Sequence, residues 1–235
     1  MPRAHRPTPH RGVRCPVPAT PGASDAYACS VSEHYFSPTT ATDASRLPLT
    51  ARLAGAERDL VTSRAVFSAR GLDKATAVLL DRLDTLTPVP AGARMLDVGC
   101  GWGPIALSAA LLHPDAEVWA IDVSERAREI TAENAERLGV RVHVAAPDDV
   151  PADLLFDTIW SNPPIRVGKQ ELHDLLLRWC ARLTPHGTAG LVVGRNLGAD
   201  PLAAWLDTQL PDRAVQKVAS AKGFRILEVG PRTEI

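Results

Sequence analysis

The 235-residue sequence predicts an α/β fold, a mostly parallel sheet with helices on both faces. Three observations lead there. From Arg94 onward, short apolar runs alternate with stretches of helical spacing. The first run ends in a glycine turn, Asp97-Val98-Gly99-Cys100-Gly101-Trp102-Gly103, which opens into a helical pattern at Ile105. The alternation closes on two successive strand patterns joined by Lys222-Gly223-Phe224, which fits a hairpin turn. Repeated βα units imply crossover connections, and crossovers make parallel strands.

Residues 1 to about 30 stand apart. They hold Pro2, Pro7, Pro9, Pro16, Pro18 and Pro21, and set Arg3, Arg6, Arg11 and Arg14 against Asp25. Without apolar periodicity this stretch cannot bury a core, so a disordered basic tail is expected. It has no apolar segment of secretory type. A basic tail can touch RNA, but such tails are more often simply solvated.

Residues 31–92 read as a lead-in to a single domain spanning 31–235, with the βα core at 93–235. Glu33-His34-Tyr35-Phe36-Ser37 is an aromatic cluster in a chain poor in aromatics. Arg58–Val61 and Ala65–Phe67 are expected to pair as a hairpin. Leu72, Ala75, Leu79, Leu83 and Leu86 share one helical face.

The core then runs strand Arg94–Val98, helix Gly103–Leu112, strand Glu117–Ile121, helix Ser124–Leu138. Ser124 suits an N-cap and Gly139 a C-cap. Val140–Ala145 reads as the third strand and Phe156–Trp160 as the fourth. A helix over Gln170–Leu183, a strand over Gly187–Val193 and a helix over 199–210 follow. Ala214–Ser220 and Phe224–Val229 form the closing pair.

No run approaches the roughly 18 apolar residues of a membrane span. Cys15, Cys29, Cys100 and Cys180 show neither C-x-x-C pairing nor metal-ligand spacing. The simplest reading is a reduced cytosolic protein that needs no metal.

The glycine turn carries the first chemical signal. A turn this tight needs positive φ angles, and residues without a Cβ let backbone approach a ligand. Its G-x-G-x-G spacing departs from the dinucleotide G-x-G-x-x-G. Asp97, two residues before the first glycine, would repel a pyrophosphate and suits a cationic amine. Asp122 closes the second apolar run, 19 positions after Gly103 and near the roughly 20 expected of a ribose-binding acid. A glycine turn in some other α/β protein, such as an NAD-dependent oxidoreductase or a non-catalytic nucleotide-binding module, remains the alternative.

Asn162-Pro163-Pro164-Ile165 carries the second signal. Two prolines cannot continue a central strand, so the sheet must stop at Asn162, at the carboxyl edge where ligands bind. There the Asn162 side-chain oxygen and the Pro163 carbonyl can face a planar amine as acceptors. Alone, Asn-Pro-Pro is usually just a turn. Its place at the end of the fourth strand is what gives it weight.

Together these stretches resemble class I S-adenosylmethionine methyltransferases. Asp97–Gly103 is similar to their first motif, Asp122 to the acid on the ribose hydroxyls, and Asn162–Ile165 to the N-P-P motif of enzymes that modify exocyclic or amide nitrogens. The resemblance implies a Rossmann-like fold with a seven-stranded sheet, one antiparallel closing strand and S-adenosylmethionine as co-substrate.

Residues 31–232 further resemble the RsmC-like group of rRNA guanine-N2 methyltransferases, through His34–Ser37, Val66–Ser68, and Leu72-Asp73 with Thr76, Leu79 and Leu80. In that group the lead-in folds over the cofactor. Phe67, Ser68, Asp73 and Thr76 are therefore candidate pocket residues, against the plainer reading of Phe67 as core and Asp73 as a helix cap. The resemblance places Asp148 near the adenine amino group, beside Gly99, Gly101, Gly103, Asp97 and Asp122 as cofactor-binding residues. The sequence looks like the single-domain relatives, since the best-known enzymes of this kind carry a second, degenerate domain ahead of the catalytic one.

The implied chemistry is N-methylation, on guanine N2 of rRNA or on a protein glutamine, an adenine or a small molecule. Ile165 stands where glutamine and adenine enzymes more often have Tyr or Phe. No histidine base is required, because the proton can leave after methyl transfer. RNA is the expected partner, with no DNA and no membrane. Charge bears on this: the chain totals −1, yet residues 166–235 carry an excess of three basic residues. Arg166, Lys169, Arg195, Lys217, Lys222 and Arg225 could form a basic rim, or a solvated surface.

Overall fold

The computed structural model describes residues 45–83 and 89–232, and of Arg166 the backbone. The expected tail (1–30), the Glu33–Ser37 cluster and Leu86 lie outside the described residues.

The elements in chain order are β1 Leu47–Leu53, β2 Ala56–Thr62, α1 Lys74–Leu80, β3 Arg94–Val98, α2 Pro104–Leu112, β4 Glu117–Ile121 and α3 Glu125–Leu138. They continue with β5 His143–Ala145, β6 Phe156–Ser161, α4 Lys169–Cys180, β7 Leu183–Gly194, α5 Ala199–Gln209, β8 Arg213–Ala221 and β9 Phe224–Pro231. Seven strands form one sheet in the order β5-β4-β3-β6-β7-β9-β8. β3 to β7 run parallel, and β9 enters antiparallel between β7 and β8. This is the Rossmann-like arrangement that the βα alternation predicts.

The central strands are apolar on both faces. Leu96, Ile159, Leu191 and Leu227 face a core closed by Leu172, Leu176 and Trp179 of α4 and Leu202 and Leu206 of α5. Their neighbours Met95, Trp160, Val192 and Ile226 face the opposite core, closed by Val78 and Leu79 of α1 and Ile105, Ala106 and Ala109 of α2. Period-2 alternation with both faces buried is what a sheet covered on both sides requires.

α2 is buried from Pro104 to Ala110. The sheet covers one side, and a third core covers the other. That core packs Leu107 and Trp102 against Leu49, Leu53 and Leu60 of the β1–β2 hairpin and Ile130 of α3. A helix apolar all round needs cover all round.

The lead-in differs from its expected form. The hairpin is β1–β2, turning at Ala54-Gly55, both at positive φ (47° and 78°), as a two-residue hairpin turn demands. Alanine is uncommon there, so no turn signal marked the site. Residues 65–67 are a turn, in which the Val66 N–H donates to the Ser63 carbonyl. α1 starts at Lys74 because Asp73 caps it, accepting from the Ala75 and Thr76 N–H groups. It ends at Leu80, Asp81 and Arg82 form a turn and helical geometry resumes at Leu83, while the expected continuation to Leu86 lies outside the described residues. The third strand is shorter than expected and the fifth longer, beginning at Leu183. Ser124 and Gly139 cap α3 as expected, Gly139 at φ 67°.

The hairpin is held by Asn134 of α3, which is fully buried. Its Oδ1 accepts from the Val61 N–H at 2.8 Å, and its Nδ2 donates to the carbonyls of Val61 and Trp102, each at 2.9 Å. Asn134→Leu keeps the branched shape of the side chain but strands three buried backbone groups, at a cost of about 3 kcal/mol. In urea titrations the unfolding midpoint should fall accordingly, with an unchanged slope.

Candidate active site

The strand order reverses at β3, which pairs with β4 on one side and β6 on the other. Val98 and Ser161 are register partners, so Gly99 and Asn162 leave the sheet side by side. The Ser161 hydroxyl donates to the Val98 carbonyl at 2.7 Å and ties the two strand ends together. Two motifs 59 positions apart in sequence thus meet at the topological switch point, where open α/β sheets bind ligands.

Gly99, Gly101 and Gly103 all have positive φ (78°, 61° and 93°). They serve different ends. A Cβ on Gly103 would lie 3.0 Å from Thr131 Cγ2 and 3.1 Å from Leu107 Cδ1, so packing of α3 and α2 demands this glycine. A Cβ on Gly99 would meet nothing within 4 Å, which leaves its backbone open to a ligand. The Thr131 hydroxyl donates to the Gly101 carbonyl, bracing the turn from behind.

Asp97 is 2% exposed. Its Oδ2 accepts from the Ala106 N–H at 3.0 Å, while its Oδ1 is buried without a hydrogen-bond partner among the described residues. Burial pushes its carboxyl up to about 8, opposed by the Ala106 bond and reinforced by nearby Asp122. Asp122 accepts from the Gly101 and Ser124 N–H groups, at 3.0 and 2.9 Å. Burial also raises its pKa, against the lowering effect of those two bonds. An orphaned buried carboxylate oxygen beside open glycine backbone fits a ligand carrying an ammonium group, as S-adenosylmethionine does.

The cleft is lined by Phe67, Ser68, Asp73, Thr76, Gly99, Gly101, Trp102 and Asn162, among others. The lead-in residues therefore do face the glycine turn. Asp73 is both helix cap and cleft residue. Phe67 is 66% exposed, so it is not core. Asn162 Nδ2 donates to Asp73 Oδ2 and to Thr76 Oγ1, each at 3.0 Å. No hydrogen bond among the described residues occupies its Oδ1.

Other candidates stand elsewhere. The Pro163 carbonyl, expected as a free acceptor, takes the Ile165 N–H at 2.8 Å in a three-residue turn centred on Pro164 (φ −74°, ψ 77°). One of its two lone pairs is thereby used. Ile165 packs against the α4–α5 core. The Asp148 side chain is 89% exposed and pairs with Arg178 of α4 at 2.8 Å, which holds it on the surface rather than in the cleft lining. Of the basic rim, Lys217 and Arg225 pair with Asp200, and Lys222 with Asp81. Arg195 is exposed at the end of β7. Sequence reasoning passed over Thr131 and Asn134, although two polar residues on the buried face of α3, beside Ala127 and Ile130, were a usable signal.

Asp97 makes stability depend on pH. Between about 4, where the unfolded chain loses this proton, and about 8, where the folded chain does, the folded state binds more protons. Stability therefore falls as pH rises through that window, by up to about 1.4 kcal/mol per pH unit, and levels off above it. Asp97→Asn should raise the melting temperature clearly at pH 8 and hardly at pH 4, by scanning calorimetry. It should also weaken S-adenosylmethionine binding.

Comparison with known proteins agrees with this geometry. Residues 57–228 match the family model of the methyltransferase small domain. The chain is 32% identical to YbxB of Bacillus subtilis, over 84% of this chain and 98% of that protein. It is 38% identical to the ribosomal RNA small subunit methyltransferase C of Hahella chejuensis, over 64% of this chain and 44% of that one. Over 41% of the chain and 36% of the relative it is 42% identical to a release factor glutamine methyltransferase of Bordetella pertussis. The chain thus spans under half the length of these last two relatives. Among solved structures it resembles the Thermus thermophilus 16S rRNA N2 G1207 methyltransferase (RsmC) in complex with AdoMet and guanosine. The TM-score is 0.69 and the identity 27%, over 80% of this chain and 51% of that one. With the fold, the glycine turn and the family match in accord, the chain belongs to the methyltransferase small domain family and is an S-adenosylmethionine-dependent methyltransferase.

Proposed function

We propose that this enzyme methylates an exocyclic amino nitrogen, with N2 of a guanine in cytoplasmic rRNA as the target. The observation that carries the reading is the Asn162 side chain. Its NH₂ end is taken by Asp73 and Thr76, so the end left for a substrate is an acceptor. An acceptor at that point selects a group that donates, which an amino group does and a carbonyl does not. The likeness to the Thermus rRNA enzyme supports guanine among the amines.

S-adenosylmethionine supplies an electrophilic methyl on a sulfonium, which leaves as a neutral thioether when a nitrogen lone pair takes the methyl. Asp97, Gly99, Gly101, Gly103 and Asp122 would hold it, with Phe67 on the opposite wall and the Thr76 hydroxyl engaged with Asn162 rather than with the co-substrate. Asp148, paired with Arg178 on the surface, has no part in the proposal. The remaining work falls to the chain's own groups. A guanine amino nitrogen is a weak nucleophile because its lone pair is delocalised into the ring. Asn162 Oδ1 would accept one of its N–H bonds, hold the nitrogen in line, and favour positive charge developing on it. The second lone pair of the Pro163 carbonyl is available for the other N–H. A base in structured RNA must reach this point from a loop or by flipping out.

The second reading is a glutamine side chain, favoured by the 42% identity to a release factor glutamine methyltransferase over 41% of the chain. A primary amide presents the same planar NH₂. Ile165, in place of the Tyr or Phe more usual in such enzymes, weighs against it.

Tritiated S-adenosylmethionine with separate pools of rRNA, tRNA and protein extract separates the two. Label in rRNA, released as N2-methylguanine on digestion, is the expected outcome. Label confined to protein would establish the second reading. Asn162→Ala should bind S-adenosylmethionine within about threefold of wild type in calorimetry while turnover falls at least 100-fold. Normal turnover in that variant would remove Asn162 from the mechanism.

A further inference from the structure

We infer that Asp73 and Thr76, in the lead-in rather than the catalytic core, are positioning residues that set the orientation of the Asn162 amide for the reaction. The inference rests on the N-methylation reading and assigns a second role to the residues on the cleft's outer wall.

A side-chain amide has a donor end and an acceptor end of nearly the same shape. Without directed partners it can turn over and present either end to the substrate. A turned-over amide would offer NH₂ to an amino group, donor facing donor. Asp73 removes that option. Its carboxylate has acceptors only, so the amide end facing it at 3.0 Å must be NH₂. The Thr76 hydroxyl accepts the second N–H at 3.0 Å. Both donors of Asn162 are then used, and both by residues outside the catalytic core.

These two partners are themselves held. Asp73 Oδ2 also accepts from the Ala75 and Thr76 N–H groups at 2.8 and 3.2 Å, so it cannot swing away without uncapping α1. Thr76 is 4% exposed, and α1 packs Val78 and Leu79 into the core that covers the sheet. The amide is thus fixed through a helix anchored on the sheet itself. Asp73 adds an electrostatic effect: a carboxylate bonded to the NH₂ end polarises the amide and makes Oδ1 a stronger acceptor for nitrogen gaining positive charge.

Thr76→Val is close to isosteric and removes only the hydroxyl. With tritiated S-adenosylmethionine and small-subunit rRNA, kcat should fall about tenfold. Affinity for S-adenosylmethionine should stay within twofold and the melting temperature close to wild type. Thr76→Ser, which keeps the hydroxyl, should restore most of kcat. Asp73→Ser, which still caps a helix but is too short to reach Asn162, should lower kcat in the same way. A lowered kcat that Ser fails to rescue, or a loss explained wholly by weaker cofactor binding, would overturn the inference.

The inference and the reading under it fail separately. Wild-type turnover by Thr76→Val beside an inactive Asn162→Ala would overturn the positioning role alone. Normal turnover by Asn162→Ala, or rRNA left unlabelled by the wild type, would overturn the reading of the site. Nitrogen-15 NMR then still examines the lock without any substrate. The Asn162 NH₂ pair, assigned by its loss in Asn162→Ala, should exchange with D₂O more slowly in wild type than in Thr76→Val. Equal, fast exchange in both would overturn it.

Discussion

Everything about the site depends on the reversal of strand order at β3. Because β4 lies on one side of it and β6 on the other, the chain leaves the sheet in two directions from adjacent points. The bond from Ser161 to the Val98 carbonyl closes the small gap between those points. The glycine turn and the Asn-Pro-Pro turn are neighbours for this reason alone. A sheet without the reversal would send both crossovers over the same face and leave no crevice between them.

Around that crevice the molecule spends stability. Asp97 is a carboxyl group kept out of water, its Oδ1 without a hydrogen-bond partner among the described residues. The three glycines of the turn sit at positive φ and contribute no side chain to any core. Such costs are tolerated because the surroundings are over-determined: Leu96 and Ile159 on one side, Met95 and Trp160 on the other, and Asn134 and Thr131 beneath.

Much of this was legible in the sequence. The βα alternation and the hairpin signal at Lys222-Gly223 predicted the sheet with its antiparallel member. Tight glycine spacing after one strand and paired prolines after another marked both halves of the site. The lead-in was harder for a physical reason. Its hairpin turns at Ala54-Gly55, where no preferred turn residue stands first, and it forms a separate two-stranded sheet whose partner is a helix over 70 residues later. Asp73 was ambiguous between cap and cleft because the alternatives are compatible: one oxygen serves both. Asp148 and the basic rim could not be judged from composition, since Arg178, Asp200 and Asp81, which pair with these residues, come from distant parts of the chain.

The Asn134 clamp has a further consequence, in time rather than in space. A ribosome releases the β1–β2 hairpin well before it releases its partner, because Val61 and Asn134 are separated by 73 positions. At about 5–20 residues per second, that delay is about 4–15 s. Throughout it Leu49, Leu53 and Leu60 lack Ile130 of α3, which completes the core they share with Trp102 and Leu107. The hairpin therefore emerges early and is locked late, only when synthesis has passed α3.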